Sequence, residues 1–303
     1  MINKSVFLVA LSMLIAAKAH DLGFVRPSFA DSMAVWGKYN AENVYDKNLA
    51  LKNVYSQKAH EAYDAFWRTG LQLSSVPRIP KIIHQIWLGS PLPQKYKVLQ
   101  QSWRKYHPDW TYILWTDKEI AEFGLVNKKL FDSARNWGQK SDIARYEILC
   151  RMGGLYIDTD FECLKSFDIL HDSLDFYTCC IPAKDGGVEI INALIAACPG
   201  HPILKACVNG LHNVTASTNI WHIIETTGPY FFTKAVFAFL TGRSVIFPVT
   251  YFYPMPAWIA SQKPNHADVI QRFVKDESFA LHWWDCSWQR LRLFKKGLDN
   301  EKF

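Results

Sequence analysis

The chain has 303 residues, 49% of them hydrophobic and 20% charged, with a formal net charge of +6. That is enough apolar sequence to bury the core of one large α/β domain or two small ones. The charge is mild and no dense Lys/Arg run occurs, so nucleic acid is not an expected partner.

Residues 1–19 read as a secretory signal peptide. Lys4 supplies the positive start, Val6 to Ala17 is apolar apart from Ser12, and Ala17-Lys18-Ala19 fits a small-x-small cleavage site. The apolar run of ~12 residues is short against the ~20 needed to span a bilayer. A signal anchor formed by residues 5–17 is the alternative, and membrane association is expected only through this segment. Residues 20–76 read as an N-terminal helical extension, because Ala59, Ala62, Tyr63, Phe66 and Trp67 recur at three and four. Ser74 to Pro80 breaks the pattern, and residues 77–303 form the main domain.

In that domain Lys81 to Trp87 reads as a strand, Tyr96 to Tyr106 as a helix and Thr111 to Trp115 as a second strand. Thr116-Asp117 is a cap for the helix after it. Gln139 to Met152 has a helical apolar stripe, with Ser141 as N-cap and Gly153 as the residue of positive φ that ends it. Leu155-Tyr156-Ile157 is a short buried strand that runs into Asp158-Thr159-Asp160. Downstream, Phe176 to Ile181 is expected as a strand. Ile190 to Ala197, His201 to His212 and Tyr230 to Leu240 are expected as helices. Residues 248–268, with four prolines, are expected as a loop over or beside the site, and Phe279-Ala280-Leu281 as a terminal strand. The alternation predicts an α/β fold with a mainly parallel sheet and helices on both faces.

Seven cysteines occur without zinc-ligand spacing, and their odd number leaves at least one unpaired within the chain. Twelve tryptophans are expected to serve mostly as core, with some aromatic faces left for sugar rings. Asn213-Val214-Thr215 matches a glycosylation acceptor pattern.

The chemistry concentrates at Asp158 and Asp160. Side chains alternate along an extended chain, so the two carboxylates would share one side of a continued strand. In an open α/β sheet ligands bind beyond the carboxyl ends of strands. Two carboxylates there suit Mg²⁺ or Mn²⁺, which takes its other ligands from phosphate and water. The bland alternative is a solvated strand end.

The run Ser-Asp-x-x-Arg-Tyr-x-x-Leu from Ser141, followed by Gly-Gly-x-Tyr-x-Asp-x-Asp from Gly153, resembles the sugar-binding region with the DXD motif of family 32 glycosyltransferases. That family includes Golgi mannosyltransferases and α-1,4-galactosyltransferases, and is distantly similar to clostridial glucosylating toxins. The resemblance extends over about residues 79–290, through Ile79 to Trp87, Leu114 to Asp117, Thr227 to Pro229 and His282 to Trp288. It implies a GT-A fold, a nucleotide-sugar donor (UDP- or GDP-sugar), a Mn²⁺ or Mg²⁺ ion and a retaining transfer to a glycan, glycolipid or protein acceptor. By the same resemblance Asp158 and Asp160 position the cation and His282 completes its ligands. His84, Gln85, Ile86 and Trp87 line the donor pocket, and Asp142 and Arg145 hold sugar hydroxyls and phosphate. Ser287 and Trp288 stabilise the leaving diphosphate. For His84 a core histidine is the alternative; for Asp142 and Arg145 it is a surface ion pair. A nucleotide-sugar enzyme with an export signal belongs in a Golgi-like lumen, or is a bacterial protein delivered into a host cell. The competing functions are a catalytically inactive sugar- or nucleotide-binding module and a glycoside hydrolase.

Overall fold

The computed structural model describes residues 24–38, 45–69, 71–183 and 186–285. The expected targeting segment, Cys286, Ser287 and Trp288 lie outside the described residues.

After an aromatic start at Phe24 come helices α1 (Phe29–Ala34) and α2 (Val54–Thr69). The main sheet then begins with β1 (Ile82–Ile86), α3 (Gln94–Tyr106), β2 (Thr111–Trp115) and α4 (Asp117–Phe123). Helix α5 (Trp137–Met152) leads into β3 (Gly154–Ile157) and β4 (Phe161–Cys163), followed by β5 (Phe176–Pro182) and β6 (Val188–Ala197). Helices α6 (Pro202–Gly210), α7 (Ile220–Thr226) and α8 (Pro229–Phe239) precede β7 (Ser244–Phe247), α9 (His266–Phe273) and β8 (Ala280–His282).

Among the described residues six strands form one sheet in the order β2-β1-β3-β6-β5-β7. β6 runs antiparallel to both its neighbours and the other pairings are parallel, so the sheet is mostly parallel, as expected. Both faces are covered. Successive side chains of a strand point to opposite faces. On β5, Phe176 meets Phe232 of α8, while Tyr177 stacks on Phe252 on the other side. The helices before the sheet join the same core. Tyr63 of α2 hydrogen-bonds Tyr251 at 3.0 Å, and the Trp36 indole donates to the Tyr253 carbonyl at 3.1 Å.

Several expectations need correction. Residues 190–197 belong to strand β6, not to a helix. The strand is buried over most of its length, so its sequence has no polar alternation to mark a period of two. Helix α5 starts at Trp137 on the Asn136 cap, whose side chain accepts from Gly138 and Gln139, and Ser141 is already inside the helix. Residues 248–268 are not one loop. They include a short helix at Ala257–Ala260 and the start of α9. The terminal strand β8 pairs with β4 in a separate two-stranded sheet. The six described cysteines are free. No helix among the described residues is long and apolar enough to cross a membrane.

The Gly153-Gly154 turn is fixed by crowding as well as by backbone angle. Both glycines have positive φ, at 65° and 101°. A Cβ on Gly153 would meet the Ala197 carbonyl at 2.8 Å, and one on Gly154 the Ile82 carbonyl at 2.7 Å. Only glycine fits both conditions.

His84 is the core histidine of the two alternatives. It is fully buried on β1. Its Nε2–H donates to the Gly153 carbonyl at 2.9 Å, and its Nδ1 accepts from the Trp115 indole at 3.1 Å. Both nitrogens are satisfied only in the neutral ring. Burial pushes its pKa down to about 4. The neutral His84 therefore contributes stability that is full above the unfolded pKa of about 6.5 and is lost as pH falls towards 4. Urea unfolding of wild type is expected to weaken between pH 6.5 and 4, and His84→Gln to weaken less steeply over that window. Equal slopes for the two proteins would contradict this role.

Candidate active site

β3 ends beside β6, where the Asp158 N–H donates to the Ala193 carbonyl at 2.9 Å. The chain then turns rather than continuing extended, and the Phe161 N–H returns to the Asp158 carbonyl at 3.3 Å. The two aspartates converge by this turn, not by strand alternation. β4 follows, and its Phe161 is paired with His282 of β8. That pairing delivers His282 to Asp160: Nε2 lies 3.1 Å from Oδ1, and the His282 ring stacks on Phe161. The Asp285 N–H donates to the other Asp160 oxygen at 2.7 Å.

Asp158, Asp160 and His282 each offer one ligand atom within 4.8 Å of the others. The His282 Nδ1 is buried and has no hydrogen-bond partner among the described residues. Two carboxylates and an imidazole suit Mn²⁺ well, and Mg²⁺ through the carboxylates. The residues present therefore fit a divalent cation. Charge distribution within the pair is uneven. Burial raises Asp158 above the ordinary carboxylate range, more than neighbouring Arg145 can offset. Burial also opposes ionisation of Asp160, but His282 and the Asp285 N–H outweigh it and hold that carboxyl below its usual value.

Asp142 and Arg145 come from α5, which is buried along much of its length. They are three residues apart and form an ion pair at 3.3 Å, but inside the protein and not on its surface. Arg145 also donates to the Asn192 carbonyl at 2.6 Å, lies 3.4 Å from Asp158 and stacks over the Tyr156 ring. Burial works against its charge, yet Tyr156, Asp158 and Asp142 around it hold the guanidinium firmly protonated. Asp142 accepts from the Asn192 amide at 2.8 Å and from the Thr227 hydroxyl at 3.0 Å. Burial pushes its pKa up to about 7 against the pull of Arg145 and those two donors.

These groups line one cavity of about 540 Å³, with Ile86, Trp87, Trp137 and Trp284 among its walls. Of the four β1 residues expected at the donor pocket, Ile86 and Trp87 line this cavity. His84 and Gln85 do not line it. Gln85 is buried and works from behind: its amide donates to the Asp158 carbonyl at 3.2 Å, and Tyr112 and Gln100 hold its oxygen. Three contributors carried no signal of their own in the sequence. Asn192 belongs to the strand read as a helix. Tyr156, whose hydroxyl donates to Asp158 at 2.6 Å, stands in the matched Gly-Gly-x-Tyr-x-Asp-x-Asp run but was given no role. Thr227 falls in a matched motif but had no role.

Residues 93–177 match the family described as glycosyltransferase sugar-binding region containing DXD motif, which bears out the family resemblance. The chain is 33% identical over 198 residues to inositol phosphoceramide mannosyltransferase 1 of Schizosaccharomyces pombe, covering 62% of this chain and 59% of that protein. It is 31% identical over 177 residues to mannosyl phosphorylinositol ceramide synthase SUR1 of Saccharomyces cerevisiae, covering 55% and 45%. The chain spans between 43% and 59% of the length of the first three curated relatives. Among solved structures, the PaToxG glycosyltransferase aligns with a TM-score of 0.45 at 19% identity, covering 63% of this chain and 77% of that one. The mostly parallel sheet, with Asp-x-Asp at the end of β3, is the α/β arrangement expected from the sequence.

Arg145 is the counter-charge for one buried carboxylate, Asp142, and one half-buried carboxylate, Asp158. Arg145→Gln is expected to destabilise the fold by about 3–5 kcal/mol, the usual cost of stranding a buried charge. Adding Asp142→Asn should recover part of that loss. Denaturant unfolding of the two single variants and the double variant checks this, and strictly additive losses would contradict it.

Proposed function

We propose that the chain is a metal-dependent, retaining glycosyltransferase that moves a hexose from a nucleotide-sugar to a hydroxyl acceptor. The observation that carries this reading is the convergence of Asp158, Asp160 and His282 within 4.8 Å on the cavity that Asp142 and Arg145 also line. Carboxylates and an imidazole would hold the cation at one end, and a carboxylate–guanidinium pair would hold hydroxyls at the other.

When bound, the cation would supply charge stabilisation to the donor diphosphate. The protein's own residues do the rest. Asp142 accepts from sugar hydroxyls, and Asn192 and Thr227 keep its two oxygens oriented. Arg145 holds Asp142 and Asp158 in register and offers a guanidinium edge to phosphate. Trp87, Trp137 and Trp284 give the cavity aromatic walls against which sugar C–H faces pack. Ser287 and Trp288 are assigned to the leaving diphosphate through an O–H and an indole N–H. No carboxylate is assigned as a covalent nucleophile, and the acceptor proton passes to the departing phosphate on the same face.

For the acceptor we favour a glycolipid head group, because the relatives at 31–33% identity bear the names of enzymes acting on inositol phosphoceramide. A secretory-pathway lumen is the compartment that suits such an acceptor together with an exported chain. Membrane contact would then run through residues 5–17 or through the acceptor itself.

A screen of UDP- and GDP-sugars with Mn²⁺, scored by donor hydrolysis, tests the reaction class. One donor is expected to turn over, and chelation by EDTA to abolish turnover. Asp160→Asn and Asp158→Asn are each expected to lose about 100-fold or more in rate, the scale of a lost charge-stabilising group, while keeping the wild-type melting profile. Wild-type turnover in either variant would sink the assignment, as would inactivity with every donor.

A further inference from the structure

One carboxyl on the cavity wall has no part in the donor site described so far. Glu189 lies on β6 in register with Ile181, and its side chain makes no hydrogen bond or ion pair with any described residue, Tyr230 being the group its charge acts on. β3 ends opposite Leu194 of β6, so residues 188–193 continue past the end of their neighbour and form an open wall. Asn192 stands on that wall next to Asp142 and Arg145. Glu189 is three residues further out, beyond the irregularity where the β5–β6 register shifts, and both residues line the cavity. The same cavity is lined by Ile223, Ile224, Gly228 and Pro229, and Tyr230, the residue after Pro229, feels the Glu189 charge.

We infer that Glu189 is the acceptor-binding residue: its carboxyl takes hydroxyl hydrogens of a polyol ring seated beyond the donor sugar. This deepens the glycosyltransferase reading and rests on it. The position follows from the order of groups along the cavity, with the cation centre first, Asp142 and Asn192 next and Glu189 last. A carboxyl without a protein donor in a half-buried wall is incomplete, since a desolvated acceptor costs about 1–3 kcal/mol when nothing bonds to it. Burial alone raises the Glu189 carboxyl to about 7, which marks the same deficit. A ring with neighbouring hydroxyls supplies two donors at the spacing of the two carboxylate oxygens. The apolar floor of Ile223, Ile224 and Pro229 suits the C–H face of such a ring. Exposed Trp221 and Tyr230, on α7 and α8, continue this aromatic and apolar character to the protein surface.

The test uses ligand-observed NMR on the full chain, with methyl hexopyranosides and myo-inositol as polyol probes. UDP and GDP with Mn²⁺ serve as separate donor-side probes. Wild type is expected to bind at least one polyol. Glu189→Gln and Glu189→Ala are expected to weaken it by about tenfold or more, a step of about 1.4 kcal/mol, and to keep metal-dependent nucleotide binding. Asp160→Asn should do the reverse, losing the nucleotide and keeping the polyol. Retained polyol binding in Glu189→Ala, or no polyol binding by wild type, would overturn the inference. So would loss of nucleotide binding together with the polyol in a Glu189 variant that melts as wild type does. Failure of the donor reading shows separately, as absence of any metal-dependent nucleotide binding by wild type.

Discussion

The pairing of two three-residue strands, Phe161–Cys163 and Ala280–His282, holds the site together. Residues about 120 apart in sequence meet there, because Phe161 is in register with His282. The pair leaves Asp160 at one strand's entry and His282 at the other's exit, so carboxylate and imidazole face each other across the strand ends. Trp283 adds its backbone N–H to the Asp160 carbonyl at 3.0 Å, and Asp285 adds its own to the carboxylate. Lys95 and Tyr96 at the start of α3 grip the Asp285 side chain. The last described residues are thereby tied to the DXD turn from both sides.

Electrostatics explain why this arrangement calls for a ligand. Asp142, Asp158 and Asp160 are all buried or half-buried, and one guanidinium, that of Arg145, pairs with the first two. Its single positive charge can neutralise only one of them. Protonation is one relief, visible in the upward pull on Asp142 and Asp158. A divalent cation would be the other, and one that also took an anionic diphosphate would leave less unbalanced charge behind. The folded protein therefore holds unfavourable charge at the place where binding removes it, which is how functional sites commonly differ from structural ion pairs.

Much of this was legible in the sequence, and the reasons for success and failure are physical. The double glycine, the short strand and Asp-Thr-Asp are contiguous, so local rules place them: Gly153 and Gly154 turn where only glycine fits, and Asp158 falls at a strand end. Ile86 and Trp87 came from the family resemblance, together with His84 and Gln85, and of the four these two line the cavity. His84 and Gln85 were not separable from them by sequence, because what decides is a partner elsewhere. His84 is satisfied by Gly153 and Trp115, and Gln85 by Tyr112, Gln100 and the Asp158 backbone. β6 failed for a different reason. A strand buried in the middle of a sheet shows a continuous apolar run, which periodicity cannot distinguish from a buried helix. Losing β6 hid Asn192 and Glu189 together, since both stand on that strand.

The central claim is that the turn at the end of β3 and His282 form one cation site that serves a diphosphate. Titration of Mn²⁺ into the full chain, followed by electron paramagnetic resonance with and without a nucleoside diphosphate, tests it most directly. The account predicts one ion per chain, bound more tightly when the diphosphate is present, and lost in both Asp160→Asn and His282→Ala. Mn²⁺ binding unchanged by either substitution, or indifferent to the diphosphate, would contradict it.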